Sequence, residues 1–151
     1  VRGGGYADVN YGAENSLYVK RGSDASYFRE AFIKFDIESN LNKSLKTAVL
    51  YFHVASNEPD ASIHLFGIKD QKWREDEVTW NNKPDDSDRI ELAVLSIHGT
   101  GWYSLDVTEY VNDRLTDKFI SFQLADKHAL NKQVVISSKE SGAPAYMKII
   151  E

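Results

Sequence analysis

Residues 48–54 read AVLYFHV, and this stretch gives the clearest indication of the fold. Small or apolar side chains occupy every second position from Ala48 to Val54, whereas Tyr51 and His53 fall between them. Because successive side chains of a β-strand point to opposite faces, this period predicts a strand with one face in the core.

The same alternation recurs on both sides of this stretch, interrupted by turn residues. Further runs with this period lie at residues 17–19, 31–37, 63–68, 103–107, 120–124, 134–136 and 147–149. About eight or nine half-buried strands with no long helical pattern predict an all-β fold, a two-sheet antiparallel β-sandwich of jelly-roll type. The one helical candidate is residues 107–115, a turn or two with Thr108 as its expected N-cap.

The chain has 151 residues, of which 42% are hydrophobic, and this size suits one domain spanning residues 1–151. No apolar run approaches the ~20 residues of a membrane-spanning helix, so we expect no membrane partner. The absence of cysteine excludes disulfides, thiolate metal sites and cysteine nucleophiles. The sequence starts at Val1 without an initiator Met, and we expect it to be a mature or excised piece.

Charge is unevenly distributed along the sequence. Residues 1–34 carry a net charge of +1, whereas residues 35–151 carry −6, in a chain with a net charge of −5. This acidic balance argues against a nucleic-acid partner, which needs many cations on one face. The exception is VKRGSDASYFREAFIKFD, residues 19–36, which gathers four cations on what we interpret as one β-hairpin.

The alternation predicts where these cations point. If Val19 and Phe35 face the core, then Lys20 and Lys34 face outward. Because the first and last strands of a jelly roll lie close together, we expect Lys139 on the same outer surface. The complete expected surface consists of Arg2, Tyr18, Lys20, Arg21, Arg29, Phe32, Lys34 and Lys139. Two interpretations remain open, a solvated face that deters edge-to-edge aggregation or a site for an anionic ligand.

A second candidate site lies near the N-terminus, where Asp8 and Asn10 alternate before Gly12. Oxygen ligands at alternate positions before a glycine resemble the start of a calcium loop, although Asx-turns use the same residues. Asp106, at the end of a predicted strand, is a comparable candidate. Its alternative role is to start the helical turn that follows it.

No catalytic set is apparent in the sequence. The four histidines are scattered without zinc-site spacing, and neither a Gly-x-Ser-x-Gly elbow nor a phosphate loop is present. Many Asp and Glu residues exist, but no motif singles out a glycosidase pair. We therefore expect that the protein is not an enzyme.

Several phrases are more specific than a generic β-sheet sequence. They are RGGGYADVNYG (2–12), REAFIKFDI (29–37), KWREDEVTWNNKP (72–84), GWYSLDVTEYV (101–111) and ISSKESGAPAYMKII (136–150). In this order they resemble the DNRLRE-type domain, carbohydrate-binding module family 96, over nearly the whole chain. One departure from the family pattern is Lys139, where the family often has Arg.

The resemblance implies a function for the basic surface. Members of this family are β-sandwiches found beside catalytic domains of secreted polysaccharide-degrading enzymes; they bind alginate, and their fold holds calcium. We therefore expect a monomeric, secreted or cell-surface bacterial module that binds an acidic polysaccharide and targets an attached lyase or hydrolase to it. The expected calcium is structural, and its candidate ligands are Asp8, Asn10 and Asp106.

Two rival functions remain, an adhesion or spacer domain without glycan affinity and a small polysaccharide lyase.

The resemblance also bears on the tryptophans, because Trp73, Trp80 and Trp102 all lie inside the family phrases. Although exposed rings often stack on sugars, we interpret these three as structural anchors.

Overall fold

The computed structural model describes residues 1–37 and 44–151, in which nine strands form two antiparallel sheets. The predicted two-sheet sandwich is confirmed. The strands are β1 (Ser16–Val19), β2 (Ala31–Asp36), β3 (Thr47–Asn57), β4 (Ala61–Ile68), β5 (Arg89–Ile97), β6 (Gly101–Asp106), β7 (Phe119–Ala125), β8 (Val134–Ser137) and β9 (Tyr146–Ile150).

The strands divide between sheet I and sheet II. Sheet I has the order β1-β8-β3-β6, and β9 also pairs with β3; sheet II has the order β2-β7-β4-β5. The long strand β3 joins sheet I together, because its first half pairs with β9 and its second half with β8. A bulge between Val54 and Ser56 shifts the register within the pairing of β3 with β8.

The AVLYFHV stretch lies in β3 with the predicted orientation. The side chains of Ala48, Leu50, Phe52 and Val54 are completely buried between the sheets. Facing strands contribute equally buried residues from sheet II, among them Phe122 of β7. Removal of this apolar surface from water is the main stabilising contribution to the sandwich.

The hairpin predicted for residues 19–36 is wrong. β1 pairs with β8 in sheet I, whereas β2 pairs with β7 in sheet II. The ends of the two segments are joined by one antiparallel bridge, between Lys20 and Arg29. The physical reason is that alternation specifies which side chains are buried but not which neighbouring strand the backbone pairs with.

The outer faces of the two sheets differ. On sheet II, residues 69–88 pack across the face, and the indole of Trp73 contacts the ring of Phe32 at 5.6 Å between centroids. Phe66 and Ile68 of β4 are buried in this outer cluster, against which Phe32 packs. On sheet I, outward side chains such as Tyr18 and Trp102 are exposed.

The helical candidate forms one short helix, α1 (Thr108–Asn112). The expected N-cap at Thr108 is displaced by one position, because Val107 is the N-cap and Thr108 is the first helical residue. Asp106 provides the capping interaction, since its carboxylate accepts hydrogen bonds from the Thr108 backbone N–H at 2.9 Å and from the Thr108 hydroxyl. The role of Asp106 in starting this turn is confirmed.

Candidate functional site

Three of the predicted site residues form a row of cations, Arg2, Arg29 and Lys20. Arg29 forms antiparallel bridges with both Arg2 and Lys20. Residues directly opposite each other in antiparallel pairing project to the same side, and neighbouring segments lie about 5 Å apart. The backbone therefore places three positive charges side by side, and we call this set the cation row.

The two outer members of the cation row lie against tyrosine rings. The Arg2 guanidinium carbon is 3.6 Å from the centroid of Tyr6, and its Nε donates a hydrogen bond to the carbonyl of Ser26 at 3.1 Å. The ammonium of Lys20 is 5.5 Å from the centroid of Tyr27. Contacts of this kind orient a cation without neutralising its charge.

Arg29, the central member, donates a hydrogen bond to the side-chain oxygen of Gln133 and lies 5.7 Å from the ring centroid of Tyr18. Tyr18 itself is 41% exposed. Among the described residues, the one carboxylate within ion-pair distance of the row is Glu58, 4.0 Å from the Lys20 ammonium. The guanidinium groups thus keep both charge and unused donors for an external anion.

Two other predicted site residues lie away from this surface. Lys34 is on the outer face of sheet II, where its ammonium donates hydrogen bonds to the carbonyls of Gln71, at 2.7 Å, and Trp73. Burial there lowers the pKa of Lys34 from its usual value. Phe32 packs against Trp73 on the same face. The prediction that Lys34 and Phe32 share an outer sheet face with Lys20 is wrong, because they lie on the other sheet, where residues 69–88 pack over them. They nevertheless line the same cavity as Tyr18 and Arg29.

The remaining predicted cations have partners of their own. Lys139 forms ion pairs with Glu75 at 2.6 Å and with Glu140 at 3.8 Å, and the hydrogen bond to Glu75 raises the pKa of Lys139. Arg21 follows the cation row in sequence, and its guanidinium lies 4.1 Å from the ring centroid of Phe28. Lys139 therefore adds no free charge to the row, whereas the ring contact of Arg21 leaves the charge of its guanidinium in place beside the row.

A cavity of about 940 Å³ opens between the edges of β1 and β2, lined partly by the apolar side chains of Leu17, Ile33 and Phe35. It brings together six of the predicted site residues: Arg2, Tyr18, Arg29, Phe32, Lys34 and Lys139. Its lining contains six Lys or Arg residues and six Asp or Glu residues. Because these charges balance, the cavity as a whole is not an anion site, and the cation row at its rim is the more positive feature.

The calcium candidates Asp8 and Asn10 lie in one N-terminal loop. The Asp8 carboxylate accepts a hydrogen bond from the Asn81 amide at 2.6 Å. The Asn10 amide nitrogen donates to the carbonyls of Glu75 and Val78, both at 2.8 Å. The side-chain amide of Asn10 therefore provides the hydrogen-bond donor for both carbonyls. Together with the bond at Asp8, these contacts hold the N-terminal loop against residues 69–88.

Asp106 is in a different part of the fold, at the end of β6, where it caps α1. In the part of the chain that the structure describes, no three His, Asp or Glu side chains form a group that could hold a metal ion. Calcium binding by Asp8, Asn10 and Asp106 stays a prediction.

The outer face of sheet I carries an aromatic cluster that the site prediction did not include. We define it as Tyr51 of β3, Trp102 of β6 and Tyr146 of β9. The Tyr51 and Tyr146 rings are stacked, with centroids 4.7 Å apart and planes 7° from parallel. Trp102 meets the Tyr146 ring at 5.4 Å and 64°, and its other contact is His53 at 5.3 Å.

The tryptophans accordingly have different roles. Trp73 is nearly buried and donates a hydrogen bond from Nε1 to the Ser121 hydroxyl at 3.2 Å. Trp80 contacts the ring of Phe28 at 5.9 Å. The interpretation as a structural anchor does not hold for Trp102, which is 50% exposed. Alternation in β6 could have indicated this outward position, because Tyr103 on the opposite face contacts the core.

Comparisons with known proteins complete the description of the site. A search of the curated proteins finds no match to this chain. Among the described residues, no helix is long and apolar enough to cross a membrane. The model of carbohydrate-binding module family 96 matches residues 1–151, the entire sequence, and the chain therefore belongs to that family.

Proposed function

We propose that this carbohydrate-binding module is non-catalytic and binds an acidic polysaccharide, alginate, through the cation row. The observation that carries the proposal is the pair of bridges at Arg29, which align three positive charges on one side of the chain. Only one of the three, Lys20, has a carboxylate within ion-pair distance among the described residues, and that contact is 4.0 Å long.

The spacing of the row suits a linear uronate polymer. Each sugar of such a polymer carries a carboxylate, and neighbouring cations on adjacent backbone segments are about 5 Å apart. The Arg and Lys side chains of the row can therefore donate charge-assisted hydrogen bonds to the carboxylates of successive sugars. Each exposed pair contributes only about 0.2–1 kcal/mol, so affinity depends on several pairs acting together.

The test is a calorimetric titration with alginate oligosaccharides, supported by affinity electrophoresis in alginate gels. We expect Arg29→Ala, Arg2→Ala and Lys20→Ala each to weaken binding by about twofold to fivefold, in line with exposed ion pairs. The triple variant should lose at least tenfold. Lys69→Ala is the matched control, because Lys69 is an exposed cation at the end of β4 in sheet II.

The charge mechanism makes a second measurement useful. Salt screens exposed charges, so affinity for alginate should fall as ionic strength rises, whereas neutral glucans should lack this dependence. Retention of the folded triple variant at wild-type strength in an alginate gel would contradict the cation row as the binding surface. Absence of binding to alginate, neutral glucans and chitin would instead favour a spacer domain.

The proposal extends to the parent protein, which we infer to be a secreted or cell-surface bacterial enzyme whose lyase or hydrolase domain is targeted by this module. Release of unsaturated or reducing ends from alginate by the isolated module would contradict its non-catalytic role. Structural calcium belongs to the same proposal. Thermal unfolding with added calcium and with a chelator tests it, and the Asp8→Ala variant should lose any stabilisation by calcium.

A further inference from the structure

We propose that the aromatic cluster of Tyr51, Trp102 and Tyr146 is a second glycan-binding surface, which takes the flat C–H faces of pyranose rings in a polysaccharide chain. This inference rests on membership of a carbohydrate-binding family and does not depend on the cation row. The two surfaces use different chemistry, since one recognises charge and the other recognises ring shape.

The rings of the aromatic cluster are partly exposed to water. Trp102 is 50% exposed and Tyr146 is 46% exposed, although the two rings touch each other. Aromatic side chains are the residues that bury most apolar surface when a core or interface forms. Adjacent half-exposed rings on a sheet face thus leave apolar surface in contact with water. A sugar ring that stacks its apolar face on these rings would cover that surface.

The rings of the aromatic cluster are also held in place by their neighbours. Tyr146 is stacked against Tyr51, and Trp102 is held between Tyr146 and His53. His53 is fixed in turn by a hydrogen bond of 3.0 Å between its Nδ1 and the Ser137 hydroxyl. Side chains whose rotamers are already restricted lose little conformational entropy when a ligand binds.

Polar groups lie beside the rings of the aromatic cluster. The strand register places Ser104 directly opposite Tyr51, and Lys148 opposite Val49 in the next row. Both Ser104 and Lys148 are exposed on the same outer face. A hydroxyl and an ammonium at the margin of an aromatic surface match the hydroxyl groups at the margin of a pyranose ring.

The aromatic cluster and the cation row lie at different ends of sheet I. Val19, next to Lys20, pairs with Val134, which in turn pairs with Asn57, six residues along β3 from Tyr51. Six residues of a strand span about 20 Å, and the two strand spacings from β1 to β3 add about 10 Å across the sheet. An extended oligosaccharide that runs obliquely across sheet I can therefore contact both surfaces, whereas a shorter one contacts only one of them.

The experiment follows the tryptophan indole N–H signals by NMR during titration with alginate oligosaccharides or cello-oligosaccharides. We expect the Trp102 signal to shift with at least one ligand, while the Trp73 signal, hydrogen-bonded to Ser121, stays in place. Trp102→Phe assigns the signal and should retain most of the affinity. Trp102→Ala should weaken binding by about fivefold to tenfold.

High salt separates this inference from the proposed function. At about 1 M salt the cation row is screened, so the remaining affinity should depend on Trp102 and Tyr146. Val94→Ala, which truncates an exposed apolar side chain on β5 of sheet II, is the control. Circular dichroism must show that each variant is folded.

The outcomes are distinct. An unshifted Trp102 signal during binding, or a folded Trp102→Ala variant that binds as wild type in high salt, would overturn the aromatic surface and leave the cation row intact. Failure of every oligosaccharide to bind the wild-type module would overturn both surfaces together.

Discussion

The outer faces of the two sheets differ in the structure, although the sequence has the same alternation of inward and outward residues in both sheets. On sheet II, residues 69–88 pack over Phe32 and Lys34, and the ammonium of Lys34 donates hydrogen bonds to backbone carbonyls. On sheet I, Tyr18, Trp102 and Tyr146 remain exposed. One face is thus part of the stable body of the protein, and the other is available to a ligand.

The difference shows that an outward side chain is not necessarily an accessible one. Tyr18 and Lys34 both point away from the sandwich interior, yet only Tyr18 is exposed on an open face. A covering segment converts outward residues into a second small core, in which burial lowers the pKa of Lys34. Substitutions on the outer face of sheet II should therefore lower the free energy of unfolding more than substitutions on the outer face of sheet I.

The largest expected effect is the loss of Trp73. Truncation by Trp73→Ala removes a nearly buried indole, its contact with Phe32 and its hydrogen bond to Ser121. We expect a loss of about 3–5 kcal/mol in the free energy of unfolding, measured by urea denaturation. A loss below about 1 kcal/mol would mean that residues 69–88 do not stabilise the sandwich.

A smaller effect is expected for Lys34→Met on the same face. Methionine keeps an unbranched stem beside Trp73 but leaves the carbonyls of Gln71 and Trp73 without the ammonium donor. The expected cost is about 1–3 kcal/mol in the free energy of unfolding. Affinity for alginate should not change, and a marked loss of binding by the folded variant would return Lys34 to the ligand site.

Trp102→Ala should cost less than either change, although it removes a residue as large as Trp73. The indole is half exposed, and its ring contacts with His53 and Tyr146 account for about 1 kcal/mol. Parallel denaturation of the Trp73 and Trp102 variants provides the comparison. Equal losses would mean that the face of sheet I is as closely packed as that of sheet II.

The smallest effect concerns pH and the buried side chain of His64 on β4. Burial, followed by the nearby His128, lowers the pKa of His64 from its usual 6.5, and Nδ1 accepts a hydrogen bond from the Lys127 backbone N–H. The unfolded chain therefore binds the proton more readily, so this contribution to stability is present above pH 6.5 and falls as the pH drops towards the folded-state pKa.

Denaturation at about pH 7.5 and pH 5.5 tests this pH dependence. His64→Asn keeps an acceptor near the Lys127 N–H but cannot take up a proton, so its stability should fall less on acidification than that of the wild type. His98→Gln, at an exposed position between β5 and β6, should behave as the wild type does. An identical pH response in all three proteins would exclude His64 as a source of the effect.

Sequence reasoning succeeded where the local pattern determines the outcome. The period of two in β3 predicted its buried residues, and the polar residue before α1, Asp106, has the capping role considered for it. The first strand also lies beside the late strand of residues 134–137, as expected, since β1 pairs with β8; the last strand, β9, pairs with β3 instead. These features depend on alternation, on capping chemistry or on the topology that such patterns favour.

The errors arose where long-range geometry decides. Nothing in residues 19–36 shows that β1 and β2 enter different sheets, because both segments have the same period. Residues 69–88 have no period at all, so their position over Phe32 and Lys34 could not be read from the sequence. The exposure of Trp102 was missed because its place inside a family phrase suggested a structural role, although the alternation of β6 indicates an outward side chain.

The strand order also determines when the fold can form during synthesis. β1 and β2 are made early, yet their ladder partners, β8 (Val134–Ser137) and β7 (Phe119–Ala125), come from the last quarter of the chain. Pairing between such distant segments is typical of proteins that fold in about milliseconds to seconds. Until β7 leaves the ribosome, both early strands present unpaired edges, the feature that promotes association between unfinished chains.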